Sequence, residues 1–267
     1  EPRLEAMHKA PPRAYILLGS AHAQLKQYRK ALAATKRAVA LSDHAPENWY
    51  QLLLGLHFEL QEYRAAATVL EKLVRHYPDK EGHWRQLVAV RTQLQELSKA
   101  LATTELAYRR GFLVSREDLL RQAQLCLYLG VPYQAGDLLE REIAAGRLPA
   151  DRERWELTAT AWLQAKEWGK ALTVLEKAAA ESEDGRNHLR LARLHIEREA
   201  WKPAATALNE ALRRGGLAEP GNAYLLLGIA HYESARRQQA REAFAQARHY
   251  EKVSDNARQW LAYLSDN

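Results

Sequence analysis

Three arginines, Arg186, Arg190 and Arg193, follow one another at helical spacing. On a helix they occupy adjacent turns and present a run of forked donors suited to carboxylates. Glu197 and Glu199 follow closely and leave a second reading open, a solvated face of mixed sign whose ion pairs contribute little. Four histidines, His22, His57, His195 and His231, also carry possible chemistry. No carboxylate or cysteine joins them at zinc-like spacing, so they read as packed rings with one nitrogen bonded. Cys126 is the only cysteine, which rules out an internal disulfide and reads as a buried, inert thiol. The phosphate-loop, G-x-G-x-x-G, G-x-S-x-G and H-E-x-x-H patterns are all missing. No residue is therefore expected to be catalytic, and no cofactor or metal is expected.

The elements that position these side chains recur along the chain. The stretch Tyr224-Leu-Leu-Leu-Gly-Ile-Ala-His231 restates Tyr15-Ile-Leu-Leu-Gly-Ser-Ala-His22, with looser copies between. The spacing is about 34 residues, the mark of a repeat architecture. Each copy holds two segments with apolar residues at i, i+3, i+4 and i+7; Ala66, Val69, Leu70, Leu73 and Val74 form one such stripe. Breaks fall at Pro78, Gly111, 146–149, 183–185 and 215–221. Hydrophobic residues make up 47% of the 267, enough for a continuous core. The net charge of +6 is spread among 33 acids, so the surface reads as mixed in sign and not as a nucleic-acid footprint. No apolar run approaches the roughly 20 residues needed to span a bilayer.

With this period and pattern the chain resembles tetratricopeptide repeats. The resemblance implies an all-α, right-handed solenoid (a superhelix) of seven helix-turn-helix repeats, at about 12–46, 47–80, 81–115, 116–151, 152–184, 185–220 and 221–253. Residues 254–267 would form a capping helix, and 1–11 the tail of a preceding helix or repeat, with more chain upstream. Trp84, Trp155, Trp168 and Trp201 fall at core positions, whereas Trp162 falls where a ring reaches the groove edge. The chaperone-binding subclass holds a terminal carboxylate with lysines and asparagines at two places occupied here by Ile16 and Ser20, so that activity does not carry over.

Positions 2, 5, 9 and 12 of each first helix form one stripe, expected to face the concave side. The candidate binding residues are Asn48, Gln51 and Phe58, then Arg85, Gln124, Thr160 and Trp162, then Arg186, Arg190, Arg193, Asn222 and Tyr232. Ala89, Thr92, Leu225 and Ile229 lie on the same stripe. The expected function is a non-catalytic scaffold or adaptor holding a protein or peptide, an acidic one at the arginines. The alternative is a glycan- or polymer-binding scaffold of envelope biogenesis that uses Trp162, Tyr232 and the arginines. More narrowly, residues 48–63 and 220–232 resemble bacterial repeat proteins assigned to a TonB system. That resemblance implies partners such as TonB, ExbB and ExbD and a periplasmic location; the cytoplasm is the alternative.

Overall fold

The computed structural model describes residues 10–266, which are all-α: fifteen helices and no strand. The segment expected to be the tail of a preceding helix lies outside the described residues as far as residue 9. Two compact units divide the chain, one ending at Leu125 and the other beginning at Cys126. The first contains α1 (Pro12–Gln24), α2 (Tyr28–Ala40), α3 (Glu47–Glu59), α4 (Tyr63–His76), α5 (Glu81–Gln93) and α6 (Leu97–Arg109). The boundary falls inside α7 (Arg116–Tyr128). The second continues with α8 (Pro132–Ala144), α9 (Arg152–Gln164), α10 (Trp168–Ala180), α11 (Arg186–Glu197) and α12 (Trp201–Arg214). It ends with α13 (Pro220–Glu233), α14 (Arg237–Ala247) and α15 (Glu251–Asp266).

The turn inside each of seven successive helix pairs is built the same way. One residue takes a left-handed conformation: Lys26, Gln61, Gln95, Gly130, Lys166, Glu199 and Ala235. The next N–H then reaches back over the helix end, as from Gln27 to the His22 carbonyl at 2.9 Å and from Arg236 to the His231 carbonyl at 2.9 Å. This six-to-one bond satisfies a carbonyl that the helix leaves open and reverses the chain in three residues. Only Gly130 is free of the steric cost of that backbone.

Small residues let the paired helices approach. In unit 1, Ala31, Ala38, Ala66 and Ala100 are fully buried beside Leu70 and Leu73. In unit 2, Ala171, Ala204 and Ala240 play the same part beside Leu175, Leu208 and Phe244. The last helix closes unit 2 by packing Val253, Ala257 and Leu264 against α13 and α14, with Trp260 stacked on Phe244 at 5.2 Å. It starts at Glu251, three residues before the expected cap. Trp84 and Trp155 are buried, but Trp168, expected in the core, opens α10 and stays 36% exposed. As the first residue of its helix it has no preceding turn to cover it.

Candidate functional site

The first-helix stripe lines a cleft in each unit. In unit 1, Arg85, Ala89 and Thr92 of α5 face Asp118, Arg121 and Gln122 of α7 across a space of about 590 Å³. Val88, Leu97, Leu113 and Leu125 make its floor apolar. Arg85 is not a free donor: its two terminal nitrogens give to the Asp118 carboxylate at 2.9 and 3.0 Å, and it gives to Glu81 at 2.8 Å. Burial pushes the Asp118 carboxyl up, but hydrogen bonds from Arg85 and Ser115 outweigh that and hold it below the usual range. Arg121 is tethered loosely, 3.9 Å from Asp118, and stays exposed at the rim. Arg85 is thus shared between Asp118 and Glu81, and Arg121 is the loosely held cation at the cleft.

Sequence reasoning missed Asp118, Arg121 and Gln122. A signal was present, because Ser115-x-x-Asp118 reads as a helix-capping box. The Ser115 hydroxyl donates to Asp118 at 2.6 Å and accepts from the Asp118 N–H at 3.2 Å. Gln124, proposed in their place, is exposed on α7 but is no part of the cleft wall. Asn48 and Gln51 are exposed on α3, where Gln51 gives to Glu47 at 3.0 Å; Phe58 packs half-buried against Tyr63.

In unit 2, Leu225, Ile229 and Tyr232 of α13 line a cleft of about 450 Å³ with Trp260 and Tyr263 of α15. The arginine run on α11 is already in use. Arg186 folds back on Asp184 at 2.6 Å, and its hydrogen bonds hold that carboxyl below the usual range. Arg193 is exposed, and its charge acts on Glu219, which is held down first by Lys252. The balancing acids are therefore Asp184 and Glu219, not the expected Glu197 and Glu199. Arg190 differs from its neighbours. It is half-buried, gives one bond to the Thr160 hydroxyl at 3.0 Å, and has no ion-pair partner among the described residues. Burial pushes its pKa down, against the field of Glu156. Asn222 is taken up by Glu219.

Trp162 does not reach a groove edge. It is fully buried on α9, under Tyr133 at 5.2 Å and Lys170 at 4.1 Å, and it faces Gly136, where a β-carbon would stand 2.7 Å from the indole. Residue 136 is glycine because the ring fills that space. Trp162 therefore presents no exposed face, and the aromatic platform expected for a glycan is not assembled from it. The histidines divide. His22 and His57 are buried, each with Nδ1 bonded at 2.8 Å, to Gln27 and Glu62 across the turn. His231 has Arg236 at that place, and its Nδ1 is buried without a partner. Among the described residues no three histidine, cysteine or acidic side chains converge as a metal set, and no helix is long and apolar enough to cross a membrane.

Residues 12–44 and 50–80 match the tetratricopeptide repeat family. Those two stretches are tetratricopeptide repeats. No curated protein sequence matches it. Among solved structures, MamA is similar with a TM-score of 0.50 at 16% identity, over 66% of this chain and 94% of that one. A second is YrrB, described as a tetratricopeptide-repeat protein with an unusual peptide-binding site. Its TM-score is 0.50 at 15% identity, over 73% of this chain and 98% of the other. At such identities the likeness is one of fold.

Proposed function

We propose that this tetratricopeptide-repeat chain is a non-catalytic scaffold that holds a protein or peptide against the first helices of its repeats. One observation carries the reading. The residues at positions 5, 9 and 12 of repeats in two separate units, Arg85, Ala89 and Thr92, then Leu225, Ile229 and Tyr232, line clefts. The peptide-binding site ascribed to YrrB supports it by analogy of fold. The apolar-floored cleft of unit 1, with Arg121 exposed at its rim, suits a peptide with an acid beside an aliphatic side chain, because the acid gains charge-assisted bonds at Arg121 while the aliphatic group leaves water.

Calorimetric titration with acidic-aliphatic peptides selected from a random library tests this. Arg121→Glu is expected to weaken binding about tenfold, since the side chain is exposed and its loss leaves the Arg85–Asp118 pair intact. A library that yields no binder, or binding indifferent to Arg121→Glu, overturns the assignment to this cleft. Turnover of a substrate lost on one substitution would overturn the non-catalytic reading. The periplasmic setting and the TonB, ExbB and ExbD partners belong to the same proposal and rest on residues 48–63 and 220–232. Cross-linking in envelope extract that recovers none of them removes that part.

A further inference from the structure

Building on the reading that the repeat faces hold peptides, we infer that the α13/α15 cleft takes an uncharged, proline-rich segment in the polyproline II conformation. Leu225 and Ile229 form its floor, Tyr232, Trp260 and Tyr263 its walls, and Asn256 and Gln259 its rim. None of the residues lining it is charged. The charges acting on this wall, Glu233 and Arg237 at Tyr232, oppose one another, so neither an acid nor a cation gains a net counter-charge and a neutral occupant fits. Its chemistry is thus unlike that of the unit 1 cleft.

Ring geometry selects among neutral ligands. Trp260 lies parallel to the buried Phe244, 7° between planes, which fixes the indole, and Tyr232 leans against it at 57° and 5.2 Å. Tyr263 meets Trp260 at 89° and 6.1 Å, and Tyr232 meets Tyr263 at 72° and 6.0 Å. Rings at such angles make ridges and notches. A sugar stacks best on a flat, open ring face, whereas the stiff rings of a proline helix dock into aromatic-lined grooves. That helix has three residues per turn and no internal hydrogen bonds, so its carbonyls need outside donors. Asn256 and Gln259 are both exposed and stand three residues apart on one face of α15, where their amides supply such donors. The ligand arrives already extended, so little ordering entropy is lost.

The test is an indole-¹⁵N spectrum of the 267-residue chain, with the Trp260 signal assigned through Trp260→Phe. The titrants are a proline-rich decapeptide, its alanine-substituted control, and a neutral oligosaccharide. A saturable shift of Trp260 with the proline-rich peptide alone is expected. Tyr263→Ala and Gln259→Ala should each weaken it about tenfold while the circular dichroism stays unchanged, since both side chains are exposed. The inference is overturned by a Trp260 shift with the oligosaccharide only, by an equal shift with the alanine control, by indifference to both substitutions, or by no shift. If acidic-aliphatic peptides still bind unit 1 in that event, the scaffold reading stands and only this inference falls. If neither cleft binds, both fall.

Discussion

A β-carbon built on Gly228 would stand 2.4 Å from the ring of Phe244. That ring is fully buried and stacked on Trp260, so it has nowhere to move. Gly228→Ala is expected to cost about 1–3 kcal/mol of stability in urea unfolding. The equivalent Gly19 meets the fully buried Thr35 hydroxyl at 2.5 Å, so Gly19→Ala would disturb the bond from that hydroxyl to the Ala31 carbonyl and should also destabilise. The two glycines occupy one place in the opening sequence echo, and the sequence treats them alike; only the partner decides how rigidly each is required. Titration is also a residue-scale matter. Burial holds the pKa of His188, His195 and His231 below the ordinary value, with Arg214 adding to the effect at His188 and Arg236 at His231. The folded state then favours the neutral rings, and the unfolded chain takes up protons first as pH falls. Stability is therefore intact above about pH 6.5 and declines as pH drops from there through the lower folded values. Urea midpoints at pH 7.5 and 5.5 should show the decline, and His231→Phe should reduce it.

The helices and their pairing were legible in the sequence because apolar spacing repeats with the helix period, as in Ala66, Val69, Leu70 and Leu73. The turns were not. Six of the seven left-handed residues are Lys, Gln, Glu or Ala, none of which signals a turn. The tertiary pairing of the flanking helices imposes that backbone against local preference. Ala235→Gly should therefore raise stability by roughly 0.5–1 kcal/mol, the relief of left-handed strain less the added chain entropy of glycine. Gly130→Ala should lower it by about 1 kcal/mol. Thermal unfolding of both variants checks the pair, and a loss in Ala235→Gly would contradict the account. The cross-links between first helices were equally hidden. Arg85 finds Asp118, His83 finds Glu47 at 2.9 Å, and Asn187 finds Glu156 at 2.7 Å, each some thirty residues away. The first of these bonds turns Arg85, expected to be free for ligand, into a tie between two helices.

Within each unit, neighbouring helix pairs pack on one another, so stability is shared locally. The last repeat has α15 as its closing layer, held by Trp260 on Phe244 and by Leu264, which is 3% exposed. Trp260→Ala should cost on the order of 2 kcal/mol and speed amide exchange in α13–α15 while leaving α1–α6 unchanged. Faster exchange throughout the chain would argue against this nearest-neighbour behaviour. Ligand binding in the unit 1 cleft should slow exchange in α5 and α7, which links the proposed function to the same measurement.

The sequence by itself determined the helical period, the all-α architecture and which face of each first helix repeats, because these depend on residue spacing along one helix. The tertiary structure decided which residues on that face remain available. Trp162 lost its place because Gly136 admits its ring, and Arg186 because Asp184 lies within 2.6 Å. Tyr232 gained Trp260 and Tyr263 because α15 packs beside α13. Such outcomes depend on distances between residues far apart in the chain, and spacing along one helix carries no information about them.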